Sequence, residues 1–368
     1  KRPVPRETGI GGRRTAMRVM VTGGTGFTGS HTVRGFLAAG HSVRLLVRDA
    51  AKVRRVFDPF EIGFADQDIV VGDITDEESV KRAMQGCDAV FHGAALVDMR
   101  RSMARRILET NRRGVDLVIG GAHRRGLPSI VYVSSISVFF TPGCGPLHPD
   151  MPIAPGTTAY ARSKAQGELE VRRLQEEGAP IRVSYPTGIV GPHDPGMSDA
   201  NRAIHSFFRQ TGVNTSSGFQ IVDVRDLATL HTVLLERPEG PCGYAAAGPM
   251  LSWPETYRVL DEITGKRVRR VPIPGPLFRA LGSMGDWIKR VHDFSFPLTR
   301  DAMEYATRWP GCSAERTTRE LGVSFRSAHE TYADTLRWMY ETGLLEARHV
   351  GRIAREGSRE ISSPEAAS

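Results

Sequence analysis

Short apolar runs alternate with longer amphipathic segments from Arg18 onward, which is the pattern of a parallel sheet wrapped by helices. The run at 129–134 is rich in β-branched residues, as strands buried on both faces are. Gly40 is placed to end one helix, and Asp76 to cap another. The pattern predicts strands at 18–22, 42–47, 68–71, 89–92, 129–134 and 181–185, and helices at 30–39, 77–84, 109–123 and 159–176. This succession predicts an α/β fold with a doubly wound parallel sheet, the Rossmann fold.

The amino-acid composition of the chain changes after Pro186. Residues 187–218 are rich in Gly, Pro, Ser and Asn, which predicts loops and a short helix near 201–209. A strand near 219–228 is expected to return to the main body, and helices separated by proline-rich turns follow from Pro249. The predicted organisation is a flexible basic head at 1–16, a Rossmann domain at 17–186, a smaller substrate-binding region at 187–345 and a tail at 346–368.

Composition and charge narrow the function classes. The 368 residues include 49 basic and 41 acidic side chains, for a formal charge of +8. Five of these eight charges lie in residues 1–18, so the rest of the chain has the balance of an ordinary enzyme. We therefore expect a small-molecule substrate and no nucleic-acid partner.

Membrane, metal and disulfide chemistry are not indicated. No run approaches the roughly 18 apolar residues of a membrane span. The head lacks the apolar stretch of a secretory signal. The four cysteines are far apart and form no CxxC pair, so neither a metal site nor a disulfide framework is expected, and a reducing cytoplasm is the expected location.

A glycine-rich turn follows the first predicted strand. Gly23, Gly26 and Gly29 have GxxGxxG spacing, with Phe27 and Thr28 between the last two. Small residues there let the backbone approach a pyrophosphate, which then lies on the N-terminus of the following helix. A strand on one side and a helix on the other make this turn a predicted dinucleotide site.

The end of the second strand indicates which nicotinamide cofactor is bound. A carboxylate there would hold the ribose hydroxyl of NAD, whereas a cation would pair with the 2′-phosphate of NADP. Arg48 lies 22 residues after Gly26, close to the expected position, and Lys52 follows it. Asp49 could still reach the ribose. NADP is favoured by charge complementarity, and NAD stays open.

Two further strand ends contribute candidate cofactor contacts. Asp73, followed by Ile74, could accept a hydrogen bond from the adenine amino group or could simply stabilise a turn. The fourth strand ends in small residues at 93–95, including Ala94, which would leave room for the cofactor.

A phenol and an ammonium lie four residues apart on the predicted helix at 159–176. Tyr160 and Lys164 therefore share one helix face, where a cation can favour the phenolate. The preceding strand ends in Ser134 and Ser135, and a serine hydroxyl could polarise the same substrate oxygen as the tyrosine. Ser135 is the preferred candidate over Ser134.

Taken together, these motifs resemble the extended short-chain dehydrogenase/reductases, the NAD-dependent epimerase/dehydratase superfamily. They occur in family order and cover roughly 17–345. The matching segments are TGGTGFTG at 22–29, GDITD at 72–76, HGAA at 92–95, NRRG at 111–114, VYVSSISV at 131–138, YARSK at 160–164 and VDVRDLA at 222–228.

The resemblance implies roles for individual residues. Tyr160 would be the general acid/base, and Ser135 would hydrogen-bond the reacting oxygen. Lys164 would hold the nicotinamide ribose and lower the tyrosine pKa. Asn111 would support the active-site backbone and a water relay, and Pro186 would lie against the cofactor. The resemblance also implies a homodimer formed through the helices of Asn111 and Tyr160.

The subfamily determines the expected reaction. VRLLVRD at 43–49 is similar to the dihydroflavonol-reductase and 3β-hydroxysteroid-dehydrogenase-like branch. Phe139-Phe140 and Tyr185-Pro186 stand where many sugar-nucleotide epimerases have Tyr-Gly and Arg-Pro, which favours a more apolar carbonyl or alcohol. Gly191-Pro192 still matches the sugar enzymes, so an epimerase or dehydratase with tightly bound NAD is the alternative. A non-catalytic, cofactor-sensing protein is a third hypothesis.

An apolar stripe at helical spacing runs through 277–291. Such a stripe most often packs against the rest of its domain, here the substrate-binding region. The alternatives are a lid over the pocket and a peripheral membrane contact. The stripe consists of Leu277, Phe278, Leu281, Met284, Trp287, Ile288 and Val291, with Arg279, Lys289 and Arg290 beside it.

Overall fold

The structure is a computed structural model that describes residues 16–98, 100–237, 242–288 and 299–355. The predicted head up to residue 15 and the end of the tail lie outside the described residues. Over the described ranges the strands are β1 Arg18–Thr22, β2 Ser42–Val47, β3 Ile69–Val71, β4 Ala89–His92, β5 Ser129–Val133, β6 Ile181–Pro186, β7 Gly188–Val190, β8 Gly212–Asn214, β9 Gly218–Asp223, β10 Cys242–Ala246, β11 Met250–Ser252 and β12 Arg270–Pro272.

Helices follow most of these strands. A π-helical turn at Val115–Gly120 joins the fourth helix to the fifth, within the segment predicted as one helix at 109–123. The helices are α1 Phe27–Ala38, α2 Ala50–Phe57, α3 Glu77–Met84, α4 Ala104–Gly114, α5 Gly121–Arg124, α6 Ala159–Glu176, α7 Asp199–Arg209, α8 Val224–Glu236, α9 Trp253–Thr264, α10 Gly275–Ile288, α11 Arg300–Arg308, α12 Glu315–Leu321, α13 Ala328–Glu341 and α14 Ala347–Val350.

Seven strands form the main sheet in the order β10-β6-β5-β4-β1-β2-β3, and all of them run parallel. The chain starts in the middle at β1, winds outward to β3, and returns beside β1 at β4. This reversal confirms the doubly wound fold. Open sheets of this kind bind ligands where the strand order reverses, at the carboxyl ends of the strands.

Helices cover both faces of the sheet because successive strand residues point to opposite sides. In β1, Val19 and Val21 pack with α1 and α8, whereas Met20 packs with α3 and the π-helical turn. These residues are fully buried. The result is a three-layer body whose two cores lie on opposite faces of the sheet.

Residues after Pro186 contribute to both parts of the molecule. The strand predicted near 219–228 ends at Asp223, whose carboxylate accepts from the Arg225 amide at 2.8 Å and caps α8. That strand, β9, pairs with β7 and β11 in a separate three-stranded sheet, while α8 packs on α1 in the main body. The seventh strand of the main sheet is β10, which the sequence pattern did not predict.

A third core lies beneath the smaller sheet, built around α9 and α13. It includes Val350, Ile353 and Ala354, all buried. The sequence placed these residues in a tail that begins at 346, whereas the structure packs them against the rest of this core as far as Ala354.

The apolar stripe in α10 is turned largely outward. Leu277, Met284 and Trp287 are 55%, 52% and 63% exposed, so the interpretation as core packing is wrong for these three residues. The helix packs on α11 through small residues instead, since a Cβ at Gly282 would lie 2.6 Å from the Thr299 carbonyl oxygen. Val291, Lys289 and Arg290 lie outside the described residues.

Three observations concern membrane spans, metal sites and disulfide bonds. Within the described ranges, none of the helices has the length and apolarity required to cross a bilayer. The same ranges contain no cluster of three or more metal-ligating side chains. All four cysteines are free thiols.

Candidate functional site

The glycine-rich turn connects β1 to α1 at the point where the strand order reverses. Gly23 has a φ of +75°, and a Cβ there would lie 2.7 Å from the Ala94 nitrogen. Gly26 donates to the Gly23 carbonyl at 2.9 Å and is the N-cap of α1, so it offers no capping side chain to the first amides of that helix. A side chain at Gly29 would collide with the Gly23 carbonyl. The turn therefore brings bare backbone to a helix N-terminus, which is the geometry that accepts a pyrophosphate.

Phe27 and Thr28 begin α1, which therefore starts three residues before the helix predicted at 30–39. Phe27 is buried and contacts His31 edge to face, with ring centroids 5.7 Å apart. The Thr28 carbonyl accepts from Thr32 Oγ1 at 2.9 Å. These contacts anchor the first turn of the helix.

The two charged residues after β2 have different surroundings. Asp49 is the N-cap of α2, accepting from the Ala51 amide at 2.9 Å and from Arg55 at 2.9 Å. Arg48 is exposed, and its guanidinium has no ion pair with any described residue. Lys52 lies half-buried in the first turn of α2. The cations at this strand end are thus available to an anion, while the carboxylate is engaged.

Hydrogen bonds from or to threonine residues hold the ends of β3 and β4. Asp73 accepts from both the amide and the hydroxyl of Thr75, at 2.9 and 2.7 Å, so it does stabilise a turn. Its neighbour Ile74 is half-buried and lies against α4, close to Gly114. At β4, the amide of Ala94 lies 3.4 Å from Thr22 Oγ1.

His92 at the end of β4 is a satisfied core residue. Its Nδ1 lies 2.7 Å from Thr22 Oγ1, and its ring stacks on Tyr132 with centroids 5.8 Å apart. Burial lowers the pKa of His92 to about 3, and the Lys164 ammonium adds to the effect. The imidazole is therefore neutral at physiological pH.

Asn111 on α4 links two parts of the candidate site. Its Oδ1 accepts from the Leu96 amide at 2.7 Å, and its Nδ2 donates to the Leu96 carbonyl at 3.0 Å. The same Nδ2 donates to Ser163 Oγ at 2.9 Å. Asn111 thus fixes the segment after β4 to the helix that carries Tyr160 and Lys164.

The two serines that follow β5 differ in their contacts. Ser135 Oγ lies 2.8 Å from Ser137 Oγ and caps the turn at 136–139. Ser134 Oγ is buried and has no hydrogen-bond partner among the described residues. Its backbone amide donates to the Ser184 carbonyl at 2.9 Å and so continues the sheet.

Tyr160 lies in the first turn of α6, after the N-cap Thr158. Its carbonyl accepts from Ser163 Oγ at 2.8 Å, which ties it to the Asn111 contacts. Burial raises the pKa of Tyr160 to about 12, with smaller contributions from Tyr305 and Asp199. The phenol is therefore protonated at neutral pH, which differs from the lowered tyrosine pKa that the resemblance implied.

Lys164 follows one turn later and is buried. Its ammonium donates to the Val133 carbonyl at 2.9 Å and lies 5.3 Å from the centre of the Tyr132 ring. Burial lowers the pKa of Lys164 to about 8, and the Glu168 carboxylate opposes that shift. The ammonium is thus held at the end of β5, directly before the two serines.

A fully buried carboxylate, Glu168, continues the same helix face and was not predicted as a site residue. Its Oε1 accepts from the Tyr185 hydroxyl at 2.5 Å and lies 3.4 Å from Arg172 Nε. Its Oε2 has no hydrogen-bond partner among the described residues. The signal in the sequence that could have identified Glu168 is its spacing of four residues from Lys164.

A cavity of about 360 Å³ begins at Ser135 and Pro186. Its walls come from β9, the start of α9, and α11. None of the described residues that line it has a charged side chain. Four aromatic rings line it: Phe219, Trp253, Tyr305 and Trp309.

These aromatic residues form two groups of contacting rings and were not predicted from the sequence. Phe219 and Trp253 are nearly parallel, with ring centroids 5.8 Å apart. Tyr305 and Trp309 lie 5.8 Å apart at the end of α11, and both contact Phe140. Their spacing of four residues on one helix was the available signal, but only the fold brings the two groups together.

The predicted residues occupy two neighbouring regions. The glycine turn, Ala94 and the cations after β2 lie along the carboxyl edge of one half of the sheet. Ser135 and Pro186 lie at the cavity on the other half. Tyr160 is within electrostatic reach of Tyr305 in the cavity wall.

The model of the NAD dependent epimerase/dehydratase family matches residues 19–244 of this chain. The match begins in β1 and ends in β10, so it covers all or most of each strand of the main sheet.

Three curated proteins are similar over most of the chain. Sterol demethylase protein B of Methylococcus capsulatus is 27% identical, covering 89% of this chain and 100% of that protein. A dihydroflavonol 4-reductase candidate of Synechocystis sp. is 26% identical, covering 89% and 96%. The 4-hydroxy-2-methyl-3-oxo-4-farnesyl-3,4-dihydroquinoline-1-oxide ketoreductase of Stigmatella aurantiaca is 28% identical, covering 87% and 96%.

Among solved structures, the chain is similar to UDP-glucose-4-epimerase from Stenotrophomonas maltophila. The TM-score is 0.71 at 20% sequence identity, covering 89% of this chain and 99% of the other. At that identity the likeness supports the fold. That epimerase was crystallised with NAD and formylated UDP-arabinopyranose.

Proposed function

Because this chain belongs to the NAD-dependent epimerase/dehydratase family, we propose that it is an NADP-dependent oxidoreductase acting on a carbonyl or alcohol of a small, fairly apolar molecule. The observation that carries the proposal is the uncharged, aromatic-lined cavity that begins at Ser135. Burial of apolar substrate surface there is favourable by about 25 cal/mol per Å². A diphosphate in the same cavity would lose its water and gain no cation.

The residues around the glycine turn fit a nicotinamide dinucleotide. Gly23, Gly26 and Gly29 would accept the pyrophosphate, because Cβ atoms at the first and last of them would meet backbone. Arg48 and Lys52 would hold the 2′-phosphate that distinguishes NADP.

Further residues would hold the two ends of the cofactor. Asp73 and Ile74 would contact the adenine, and Ala94 would lie along the dinucleotide. Lys164 would hold the nicotinamide ribose, and Pro186 would lie against the ring. When bound, the nicotinamide supplies or accepts the hydride.

Tyr160 would move the proton. With its pKa raised to about 12, the phenol holds its proton at neutral pH and can donate it to a substrate carbonyl oxygen. Ser135 Oγ would donate a second hydrogen bond to that oxygen. Lys164, whose pKa is about 8, would return a proton to the phenolate. Reduction is therefore the direction that these protonation states favour.

The names of two relatives agree with an apolar substrate. One is named for a sterol, and the other for a ketone that carries a farnesyl chain. These groups are largely hydrocarbon, and the cavity wall of Phe219, Trp253, Tyr305 and Trp309 suits such surfaces.

The alternative, an epimerase or dehydratase acting on a nucleotide sugar with tightly bound NAD, requires a site for the diphosphate. The described cavity lining offers no cation for it. Net turnover without added cofactor would nevertheless establish that alternative.

Two measurements test the proposal. In a thermal-shift comparison, NADPH should stabilise the protein more than NADH at equal concentration, because stabilisation follows affinity. In a panel of sterol, phenolic and sugar ketones, NADPH should be consumed with an apolar ketone and left unchanged with the sugars. Cofactor binding without turnover of any member would favour the cofactor-sensing hypothesis.

A further inference from the structure

A second cavity, of about 310 Å³, lies between the end of α7, the segment joining α9 to β12, and α14. It shares no lining residue with the cavity at Ser135. Among the described residues that line it, none is acidic and six are basic: Arg209, Lys266, Arg267, Arg269, Arg348 and His349. We call these six residues the basic cleft.

Most of this positive charge is not neutralised by the protein. Arg209, Arg267 and Arg269 are exposed, and none of the three has an ion pair with a described residue. Asp261, on α9, is already engaged: it pairs with Arg270 at 3.1 Å and accepts from the Val268 amide at 2.7 Å. The carboxylate of Asp261 therefore does not neutralise these arginines, and the cleft stays positively charged.

The backbone around the cleft holds its cations close together. Gly265, with a φ of +64°, ends α9 and turns the chain. Val268 is buried in the third core, so Arg267 and Arg269 on either side of it stay at the surface. The Gly212 amide donates to the Arg269 carbonyl at 2.8 Å, which joins this segment to β8.

The third wall of the cleft is attached to the same segment. Lys266 Nζ donates to the carbonyl of Arg348, which lies in α14. Arg348 itself pairs with Glu346 at 2.8 Å. The three chain segments are thus connected by hydrogen bonds, and like charges are kept near one another at an electrostatic cost that a bound anion would remove.

The cleft is remote from the candidate catalytic residues. Trp253, in the cavity wall, is the first residue of α9, and Lys266 follows the other end of that helix. A helix of 12 residues is about 18 Å long. The cleft is therefore a separate cavity, and its wall residue Phe207 contacts Trp253 edge to face with ring centroids 6.0 Å apart.

We propose that the basic cleft binds an anion that bears two or more phosphate groups. Arg209, Arg267 and Arg269 have no ion pairs with described residues. Each guanidinium can pair with two phosphate oxygens, so the three together match an anion with several phosphates better than an anion with a single phosphate. A volume of about 310 Å³ suits a small polyphosphate. A soluble polyphosphate and a diphosphate lipid headgroup share this chemistry.

The test is calorimetric titration of the full chain with tripolyphosphate and with orthophosphate, in saturating NADPH to block the glycine turn. We expect one tripolyphosphate per chain, bound at least about tenfold more tightly than orthophosphate. The combined variant Arg209→Ala, Arg267→Ala, Arg269→Ala should weaken binding at least about tenfold. The control Arg258→Ala, Arg319→Ala, Arg337→Ala removes the same charge from exposed sites outside the cleft and should change it by less than about twofold.

Equal losses in the cleft and control variants, or no loss in the cleft variant, would overturn the proposal. So would the absence of tripolyphosphate binding. Both variants should have the melting temperature of the parent chain, since all six arginines are exposed. Flotation with vesicles of phosphatidylcholine with and without cardiolipin then identifies the source. Binding that tripolyphosphate competes away indicates a lipid headgroup, and no binding indicates a soluble anion.

Discussion

The side-chain amide of Asn111 donates a 2.9 Å hydrogen bond to Ser163 Oγ, which in turn donates to the Tyr160 carbonyl at 2.8 Å. The other contacts of Asn111 bind both polar groups of the Leu96 backbone. One buried side chain therefore connects the segment after β4 to the first turn of α6.

Replacing Asn111 with alanine should lower the free energy of unfolding by about 2–4 kcal/mol, because Leu96 and Ser163 lose partners in a buried region. The measurement is urea denaturation followed by circular dichroism. Ser163→Ala removes the two hydrogen bonds of the Ser163 hydroxyl, to Asn111 and to the Tyr160 carbonyl, and should cost about 1–2 kcal/mol. A larger loss in Ser163→Ala than in Asn111→Ala would refute the central position of Asn111.

Cofactor preference should depend on Arg48 and Lys52. The double variant Arg48→Ser, Lys52→Ser should raise the Kd for NADPH at least about tenfold, because it removes two partners of the 2′-phosphate. The Kd for NADH should change by less than about twofold, as measured by quenching of tryptophan fluorescence. The double variant Arg106→Ser, Arg112→Ser, at two exposed positions on α4, is the charge-matched control. Equal weakening of both cofactors would show that these cations do not select NADP.

Stability should fall in mild acid because His231 is buried in neutral form. Its ring nitrogens contact Thr32 Oγ1 and Ser184 Oγ, each at 2.8 Å, and burial lowers its pKa to about 3. Below pH 6.5 the unfolded chain binds a proton that the folded chain does not. The free energy of unfolding should therefore decrease by about 1.4 kcal/mol per pH unit for this residue.

His231→Gln should remove that slope. Between pH 6.5 and 4.5 the parent should lose about 2 kcal/mol more stability than the variant, as measured by denaturant titration at each pH. His329→Gln, at an exposed position on α13, should keep the slope of the parent. An unchanged slope in His231→Gln would contradict burial of a neutral imidazole.

The Glu168 carboxylate depends on Tyr185 for its shortest hydrogen bond. Tyr185→Phe keeps the ring, which contacts Phe139 with centroids 5.0 Å apart, but removes the donor at 2.5 Å. Loss of this hydrogen bond to a buried carboxylate should lower the free energy of unfolding by about 2–3 kcal/mol. Thermal denaturation would measure this cost. Tyr340→Phe, at a half-buried site, should lie within about 0.5 kcal/mol of the parent, and the account fails if the two variants are alike.

The main sheet could be predicted from the sequence because its strands are short, apolar and separated by helical periods. The strands β1, β2 and β4 have the predicted bounds. The seventh strand was missed, since Cys242-Gly-Tyr-Ala-Ala246 has no β-branched residue and becomes a strand only by pairing with β6. Tertiary pairing, not local propensity, decides that segment.

Much of the candidate site was less predictable, because its members are distant in the chain. The glycine turn and the Tyr160 helix follow local spacing and could be found directly. The cavity wall combines Phe219, Trp253 and Tyr305, which no local pattern relates. The protonation of Tyr160 was also inaccessible, because burial is a property of the folded chain.

The central claim is that Tyr160 passes a proton to a ketone while NADPH is consumed. The direct measurement is the amount of NADPH oxidised and alcohol formed with one apolar ketone, for the parent chain and for Tyr160→Phe. For the parent chain we predict that the amount of alcohol formed equals the amount of NADPH oxidised. In the variant, kcat should fall at least about 100-fold. NADPH affinity should stay within about twofold in the variant, and Tyr340→Phe should behave as the parent. Turnover in Tyr160→Phe at the parent rate would contradict the account.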